Sequence, residues 1–211
     1  MLDIARLRLT MELRGAGVTD ARVLGAIERT PREAFVSEHL MDQAYENVAL
    51  PIDCGQTISQ PLVVALMTQA LDVGRRMIVL EIGTGSGYQA AVLSLLCRRV
   101  YTIERHRELH AQAVRRFAAL RLNNIVARCG NGAKGWPEAA PFDRVIVTCA
   151  APVVPEALVE QTRDGGIVVL PVGTSGRTQE LVKITRKGAA MTTERLGGVR
   201  FVPLVSEEEG T

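Results

Sequence analysis

Apolar residues recur along this chain with two different periods, and the texture changes near residue 61. Before that point the spacing is helical. Ile4, Leu7 and Met11 lie at helical spacing, which predicts a first helix buried through those residues and stopped by Gly15 and Gly17. Thr19 or Asp20 can cap a second helix, with Val23, Leu24 and Ile27 as its apolar face and Pro31 as its breaker. A third short helical piece is predicted near residues 38–46. Pro61 suits the first turn of a helix capped by Ser59 or Gln60, with Leu62, Val63, Leu66 and Ala70 on its apolar side.

Beyond this helix, short apolar runs alternate with helical stretches. Met77–Leu80 reads as a central strand covered on both faces. It leads through Glu81-Ile82-Gly83-Thr84-Gly85-Ser86-Gly87 into an apolar helix over residues 88–97. Strands are predicted at 100–104, 125–128, 142–148 and 167–170, with helices at 107–120 and 155–161 between them. Alternation near 181–185 and 192–202 looks antiparallel. Strands alternating with helices predict an α/β fold with a doubly wound, mostly parallel sheet, and a ligand at the carboxyl ends of the first strands. Residues 1–60 would form a helical cap and residues 61–211 the α/β part of one compact unit.

Composition narrows this picture. The 211 residues carry 25 basic and 23 acidic side chains, a net charge of +2, which leaves no basic stripe for nucleic acid. No stretch reaches the ~18 apolar residues of a membrane span, and the first residues have no apolar signal-peptide core, so a cytoplasmic location is expected. Cys54, Cys97, Cys129 and Cys149 form no C-x-x-C pair and no zinc spacing with His39, His106 or His110. They are expected to be buried free thiols, with His106 and His110 at the surface and no metal bound.

The glycine loop carries chemistry. Glycines at 83, 85 and 87 let the backbone turn and approach a ligand closely. A dinucleotide loop reads G-x-G-x-x-G; here the third glycine comes one residue too early, and no triphosphate-binding G-x-x-x-x-G-K-[ST] is present. The pattern E-x-G-x-G-x-G resembles the loop of class I S-adenosylmethionine-dependent methyltransferases. Glu104 ends the next strand, 17 residues after Gly87, where a carboxylate can accept both ribose hydroxyls. An acid there also suits NAD and does not separate the two cofactors.

Two further blocks are more specific. Gly55-Gln56-Thr57-Ile58-Ser59-Gln60-Pro61 and Val199-Arg200-Phe201-Val202-Pro203-Leu204 flank the sheet region in this order. With Pro31–Val36, Val79–Ala91, Pro141–Asp143, Gly165-Gly166 and Leu170–Gly173, they resemble the protein-L-isoaspartate O-methyltransferase family through nearly the whole chain. The resemblance implies a Rossmann-like, seven-stranded class I methyltransferase fold. It implies methyl transfer from S-adenosyl-L-methionine to the free α-carboxylate of isoaspartyl residues in damaged proteins and peptides. S-adenosyl-L-homocysteine would be the by-product, and the methyl ester would revert through succinimide toward aspartate. A monomer is expected.

Carried over by the same motifs, Ser59 would be the active-site serine, orienting the substrate carboxylate without a covalent intermediate. Gln56, Thr57 and Ile58 would line the pocket beside the cofactor. Gly83, Thr84, Gly85, Ser86 and Gly87 would hold its methionine end and Glu104, beside Arg105, its ribose. Asn131 and Gly132 would hold its adenine, with Thr148 nearby. Gln60, Val199, Arg200 and Phe201 would help bind the peptide, the last block lying over the site as a strand. Two positions depart from the family pattern: Cys54 stands where glycine or histidine is usual, and Asn131 where aspartate is usual. The chemistry needs neither base nor metal, because a carboxylate of pKa roughly 3.5 is ionised at pH 7. A carboxyl methyltransferase of another peptide or small acid, a cofactor-binding module without catalysis and a nicotinamide oxidoreductase are the alternatives.

Overall fold

In the computed structural model, which describes residues 2–174, 176–188 and 190–204, a seven-stranded sheet runs through the molecule. Residues 205–211, the end of the expected α/β part, lie outside the described residues. The sheet strands are β3 (Ile78–Ile82), β4 (Arg99–Glu104), β5 (Ile125–Cys129), β6 (Phe142–Val147), β7 (Thr162–Val172), β8 (Gln179–Lys187) and β9 (Ala190–Val199). Their spatial order is β5-β4-β3-β6-β7-β8-β9. The first five are parallel, and β8 and β9 continue the sheet antiparallel. The chain builds outward from β3 through β4 to β5, then returns to place β6 on the other side of β3. This reversal makes the carboxyl end of β3 the switch point where open α/β sheets bind ligands.

Burial explains the continuous apolar strands. Val79, Val100, Ile146 and Val169 face one apolar cluster with Leu13, Ile27, Met67 and Phe117. Their neighbours Leu80, Ile103, Val145 and Val168 face a second with Phe142 and Leu158. Successive strand residues point to opposite faces, so a strand covered on both sides needs apolar residues throughout.

The helices are α1 (Leu2–Gly15), α2 (Ala21–Arg29), α3 (Pro61–Leu71), α4 (Tyr88–Ser94), α5 (Arg107–Ala119) and α6 (Glu156–Glu160). A 3₁₀ turn spans Glu38–Gln43, where the third helical piece is expected. α2 buries the predicted Val23, Leu24 and Ile27, and Asp20 caps it.

Two helix faces differ from expectation. On α1, Ile4, Leu7 and Met11 are exposed by 74%, 54% and 67%, and Leu9 and Leu13 are buried instead. The buried stripe includes Arg6, whose guanidinium reaches Tyr45 Oη at 2.6 Å and Glu33 Oε1 at 2.5 Å. That polar anchor selects the Leu9–Leu13 side over the equally periodic alternative. On α3, the buried residues are Pro61, Val64, Ala65, Met67, Thr68 and Leu71, whereas Leu62, Val63, Leu66 and Ala70 are half-buried. This helix lies between α1 and α2 on one side and β6 and β7 on the other. A helix covered on both sides is apolar all round, so its periodicity does not reveal its deeper face.

The predicted 192–202 strand is shorter, ending at Val199. Beyond it the Gln179 side chain takes over the ladder's work: its Oε1 accepts from Phe201 N–H at 2.8 Å. Residues 202–204 then cross to Ala150, with Ala150 N–H donating to Val202 O at 2.7 Å and Leu204 N–H to Ala150 O at 2.8 Å. A hairpin of β1 (Leu50–Pro51) and β2 (Thr57–Ile58), not predicted, stands apart from the main sheet.

Asp20 gives the fold a test. Its Oδ1 accepts the Arg22 N–H at 2.8 Å and its Oδ2 meets Arg22 Nη2 at 2.6 Å. The Arg22 side-chain hydrogen bond is the main cause holding this carboxyl below its ordinary value. Asp20→Ala is expected to cost about 1 kcal/mol at pH 7. A lowered folded pKa means this stabilisation is complete above the unfolded value of ~3.9 and is lost as pH falls through the folded one. Urea unfolding at neutral pH and at roughly pH 2 checks both statements.

Candidate functional site

At the carboxyl end of β3 the glycine loop is fastened from both neighbouring strands. Gly83 N–H donates to Ile103 O at 2.9 Å and Gly85 N–H to Glu104 Oε2 at 2.7 Å. The Thr148 hydroxyl, just past β6, lies 2.6 Å from Gly83 O and 3.0 Å from Ile82 O. Gly83 has φ +94°, and a Cβ there would stand 2.6 Å from Thr148 Oγ1. Only glycine admits both that conformation and that approach. A Cβ on Gly132 would stand 2.3 Å from Ile82 Cγ2, so the backbone after β5 passes the end of β3 with no room for a side chain.

These loops open onto a cleft that is continuous with solvent. Of the predicted cofactor residues, Gln56, Thr57, Ile58, Gly83, Thr84, Gly85, Ser86, Glu104, Arg105, Gly132 and Thr148 line it, together with Ser59. Gly87 and Asn131 stand behind the lining. Gly87 is the N-cap residue of α4 at φ +94°. Asn131 caps the 3₁₀ turn Gly132–Lys134, its Oδ1 accepting the Ala133 N–H at 2.9 Å. His106, Cys149 and Val202–Leu204 also line the cleft. Val202–Leu204 belong to the block expected over the site; His106 and Cys149 carried no such signal, because they arrive from the N-terminus of α5 and from just past β6.

Glu104 is 5% exposed, with one backbone donor on each oxygen: Gly85 N–H on Oε2 and His106 N–H on Oε1 at 2.9 Å. Each oxygen keeps lone-pair capacity for a further donor. Beneath it Glu81 is fully buried. The Thr102 hydroxyl donates to Glu81 Oε2 at 2.6 Å and lies 2.6 Å from the Thr84 hydroxyl. Glu81 Oε1 has no partner. Burial pushes the Glu81 carboxyl up to about 8, with the Glu104 charge adding to the rise and the Thr102 bond opposing it. Glu81 is therefore neutral at pH 7 beneath an acceptor that faces the cleft.

A second cleft adjoins the first. Gln60, Val199, Arg200 and Phe201, the predicted substrate residues, line it with Ala49, Val63, Thr178 and Gly198. Thr57 and Ser59 line both clefts. Ser59 thus stands at their junction, held there by the hairpin. Turn residues Cys54 and Gly55 have φ +57° and +66°, and Gln56 N–H closes back on Asp53 O at 3.1 Å. Two positive φ values make this the tight turn that favours glycine or asparagine at its first central position. Cys54 occupies that position at the hairpin tip and is exposed, contrary to the expectation of a buried thiol; Cys129 is half-buried, and Cys97 and Cys149 are buried. His106 and His110, expected at the surface, are half-buried, and His106 lines the cleft.

Ser59 does not cap α3. The N-cap residue is Gln60, which makes no side-chain cap bond. Asn47 supplies the cap from a distance, its Oδ1 accepting the Leu62 N–H at 3.0 Å, and Gln60 Nε2 donates to Asn47 O at 2.8 Å.

A family model described as protein-L-isoaspartate(D-aspartate) O-methyltransferase (PCMT) matches residues 5–209. The chain belongs to this family. It is 62% identical to a protein-L-isoaspartate O-methyltransferase of Paramagnetospirillum magneticum, over 94% of each chain. It is 60% identical to one of Maricaulis maris, over 98% of this chain and 96% of that protein. Among solved structures, a protein-L-isoaspartate O-methyltransferase superposes with a TM-score of 0.86 at 31% identity, over 94% of this chain and 65% of that one. A Plasmodium falciparum beta-aspartate methyltransferase (PCMT), solved in complex with S-adenosyl-L-homocysteine, shares the fold: TM-score 0.82, 23% identity, coverage 95% and 98%. The family's activity is methylation of isoaspartyl residues, and the PCMT chain here carries it on a seven-stranded sheet with antiparallel C-terminal strands. Among the described residues no helix is long and apolar enough to cross a membrane, and no group of three or more His, Cys, Asp or Glu could hold a metal ion.

Glu81 makes the site's electrostatics testable. Its folded pKa lies above the unfolded value of ~4.3, so between the two the unfolded chain has released a proton that the folded chain retains. Stability should therefore fall as pH rises from about 5 to 8. Glu81→Gln is expected to flatten this decline, as read by denaturant unfolding across that range.

Proposed function

We propose that the first cleft holds S-adenosyl-L-methionine, that the second receives the isoaspartyl segment of a damaged protein, and that Ser59 orients the reacting carboxylate where the two meet. The observation that carries this reading is the sharing of Thr57 and Ser59 by both clefts. The residues fit the cofactor. Glu104 offers an acceptor on each oxygen to a vicinal diol. The glycines around the loop leave backbone, rather than side chains, facing the ligand, and Gly132 with the Asn131-capped turn forms the wall for the adenine.

When bound, the cofactor supplies a methyl group activated by its sulfonium. The chain's own work is placement. Ser59 Oγ–H donates to one carboxylate oxygen and leaves the other aligned with the methyl carbon. That oxygen would take the methyl group from the bound cofactor, which leaves as the thioether, with the methyl ester as product. No proton has to be removed from the nucleophile, so no side chain acts as base. Opposite charges cancel along this path, and a site shielded by Ile58, Pro203 and Leu204 favours that cancellation over bulk water. Arg200, exposed beside the second cleft, suits an acidic peptide.

The direct test offers labelled methyl donor and paired peptides differing only in aspartate or isoaspartate. Label should enter the isoaspartyl peptide; equal labelling of both would point to a general carboxyl methyltransferase. Ser59→Ala should fold as the parent does and lose about 1.5–3 kcal/mol of transition-state stabilisation, the worth of one charge-assisted hydrogen bond. Unchanged turnover would remove the serine from the chemistry. Glu104→Ala should weaken cofactor binding more than it lowers turnover at saturation, because the ribose contact is the same in ground and transition states, whereas the Gly85 and His106 N–H groups lose their shared acceptor. Calorimetry with the cofactor separates these effects.

A further inference from the structure

Arg32 heads the large, fully buried side chains among the described residues, at 0% exposure. It opens the 3₁₀ turn Arg32–Phe35 that follows Pro31. Among the described residues its guanidinium meets no carboxylate within ion-pair distance. Nη1 donates to Ser59 O at 2.9 Å, Nη2 donates to Val48 O at 3.1 Å, and Nε has no partner. The guanidinium carbon lies 5.1 Å from the centre of the Tyr88 ring, which in turn packs edge-on against Phe35 with centroids 5.6 Å apart.

The two carbonyls it bridges bracket the β1–β2 hairpin: Val48 lies two residues before β1, and Ser59 directly follows β2. Tyr88 is the first residue of α4, immediately after the glycine loop. One guanidinium therefore closes the base of the hairpin and seats it on the helix that begins at the cofactor loop. Burying an unpaired cation is costly, and an apolar side chain of similar volume would fill the space without that cost. What only the planar fork supplies is two parallel donors at fixed spacing with a face free to stack.

We infer that Arg32 is the positioning residue of the site: by holding the Ser59 and Val48 carbonyls together over Tyr88, it fixes the serine against the cofactor loop. The inference rests on the reading of Ser59 as the residue that orients the carboxylate. Arg32 acts through the main chain of Ser59 and touches neither ligand. Its loss should leave cofactor affinity intact and lower kcat. A displacement of about 1 Å in a reacting group can cost on the order of 10²-fold, so a drop of roughly 10- to 100-fold in kcat is expected.

The experiment compares Arg32→Lys, Arg32→Met, Ser59→Ala and the double variants in the full-length protein. Lysine keeps the charge and loses the fork; methionine removes the buried charge, keeps the stem's bulk and guards against misfolding of the lysine variant. Arg144→Lys is the control. That arginine is 8% exposed, holds Leu71 O and Asp72 O at 2.7 and 3.1 Å, and lies near the start of β6, away from the site. Turnover is expressed per cofactor-binding site from calorimetry, so loss of folded protein does not register as loss of kcat.

The expected result is a lowered kcat in both Arg32 variants with cofactor affinity unchanged, and an unchanged kcat in the control. Adding either Arg32 substitution to Ser59→Ala should cause little further loss, because both act through one hydroxyl. Parental kcat in the Arg32 variants, or losses that add to that of Ser59→Ala, would overturn the inference and leave the serine reading standing. Parental kcat in Ser59→Ala alone would remove the serine reading and the inference with it.

Discussion

Glu104 is the joint on which the site depends. The parallel register sets Ile82 beside Ile103 and Val147, so three strands end at one level and release their loops into one space. Level strand ends do not by themselves fix those loops. The Glu104 carboxylate does so by accepting the Gly85 N–H from the loop after β3 and the His106 N–H at the start of α5. A nearly buried charge receives two oriented backbone donors, and two flexible segments lose their freedom in the same stroke. The consequence is carried by Glu81. A second ionised carboxyl so close and so deep would face both desolvation and a like charge, so that group stays protonated at neutral pH.

The parts of the fold legible in the sequence are those whose burial is uniform. β3 is covered on both faces, so the bare apolar run Met77–Leu80 identified it. The face of a helix was less legible. α1 carries two apolar stripes of equal period, and the choice between them is made by Arg6 finding Glu33 and Tyr45, which are 27 and 39 residues away. α3 is apolar all round because helices and sheet cover opposite sides of it. The β1–β2 hairpin has two residues per strand, too few for any period. Its turn is built against preference at Cys54, so the dipeptide signal that would announce it is absent.

The glycine loop and Glu104 could be placed from spacing, since the backbone geometry of a strand–loop–helix unit fixes where such residues point. Ser59 could not. A serine two residues before a helix-opening proline reads equally well as a cap. The cap comes from Asn47, which is remote in sequence from the Leu62 N–H it receives. That single substitution of one cap for another frees the serine, and no local pattern reports it. Val202–Leu204 were expected over the site and are there, but as a segment crossing to Ala150, because Gln179 ends the β9 ladder with its side chain.

A doubly wound sheet provides cofactor-binding loops at one edge and leaves that edge open to water. Here the opening is narrowed by segments from opposite ends of the chain: the hairpin before α3 and the crossing after β9. They leave a gap between them, bordered by Thr57 and Ser59 on one side and by Arg200 and Phe201 on the other. A small acid would be served by full closure. A carboxylate embedded in a polypeptide needs an entrance wide enough for the chain on either side of it, while the bond-making atoms remain shielded. On the proposed reading, a serine at the neck between two clefts would satisfy both demands, provided the neck is rigid. On the same reading that rigidity would come from beneath, where Arg32 joins the hairpin base to the ring of Tyr88.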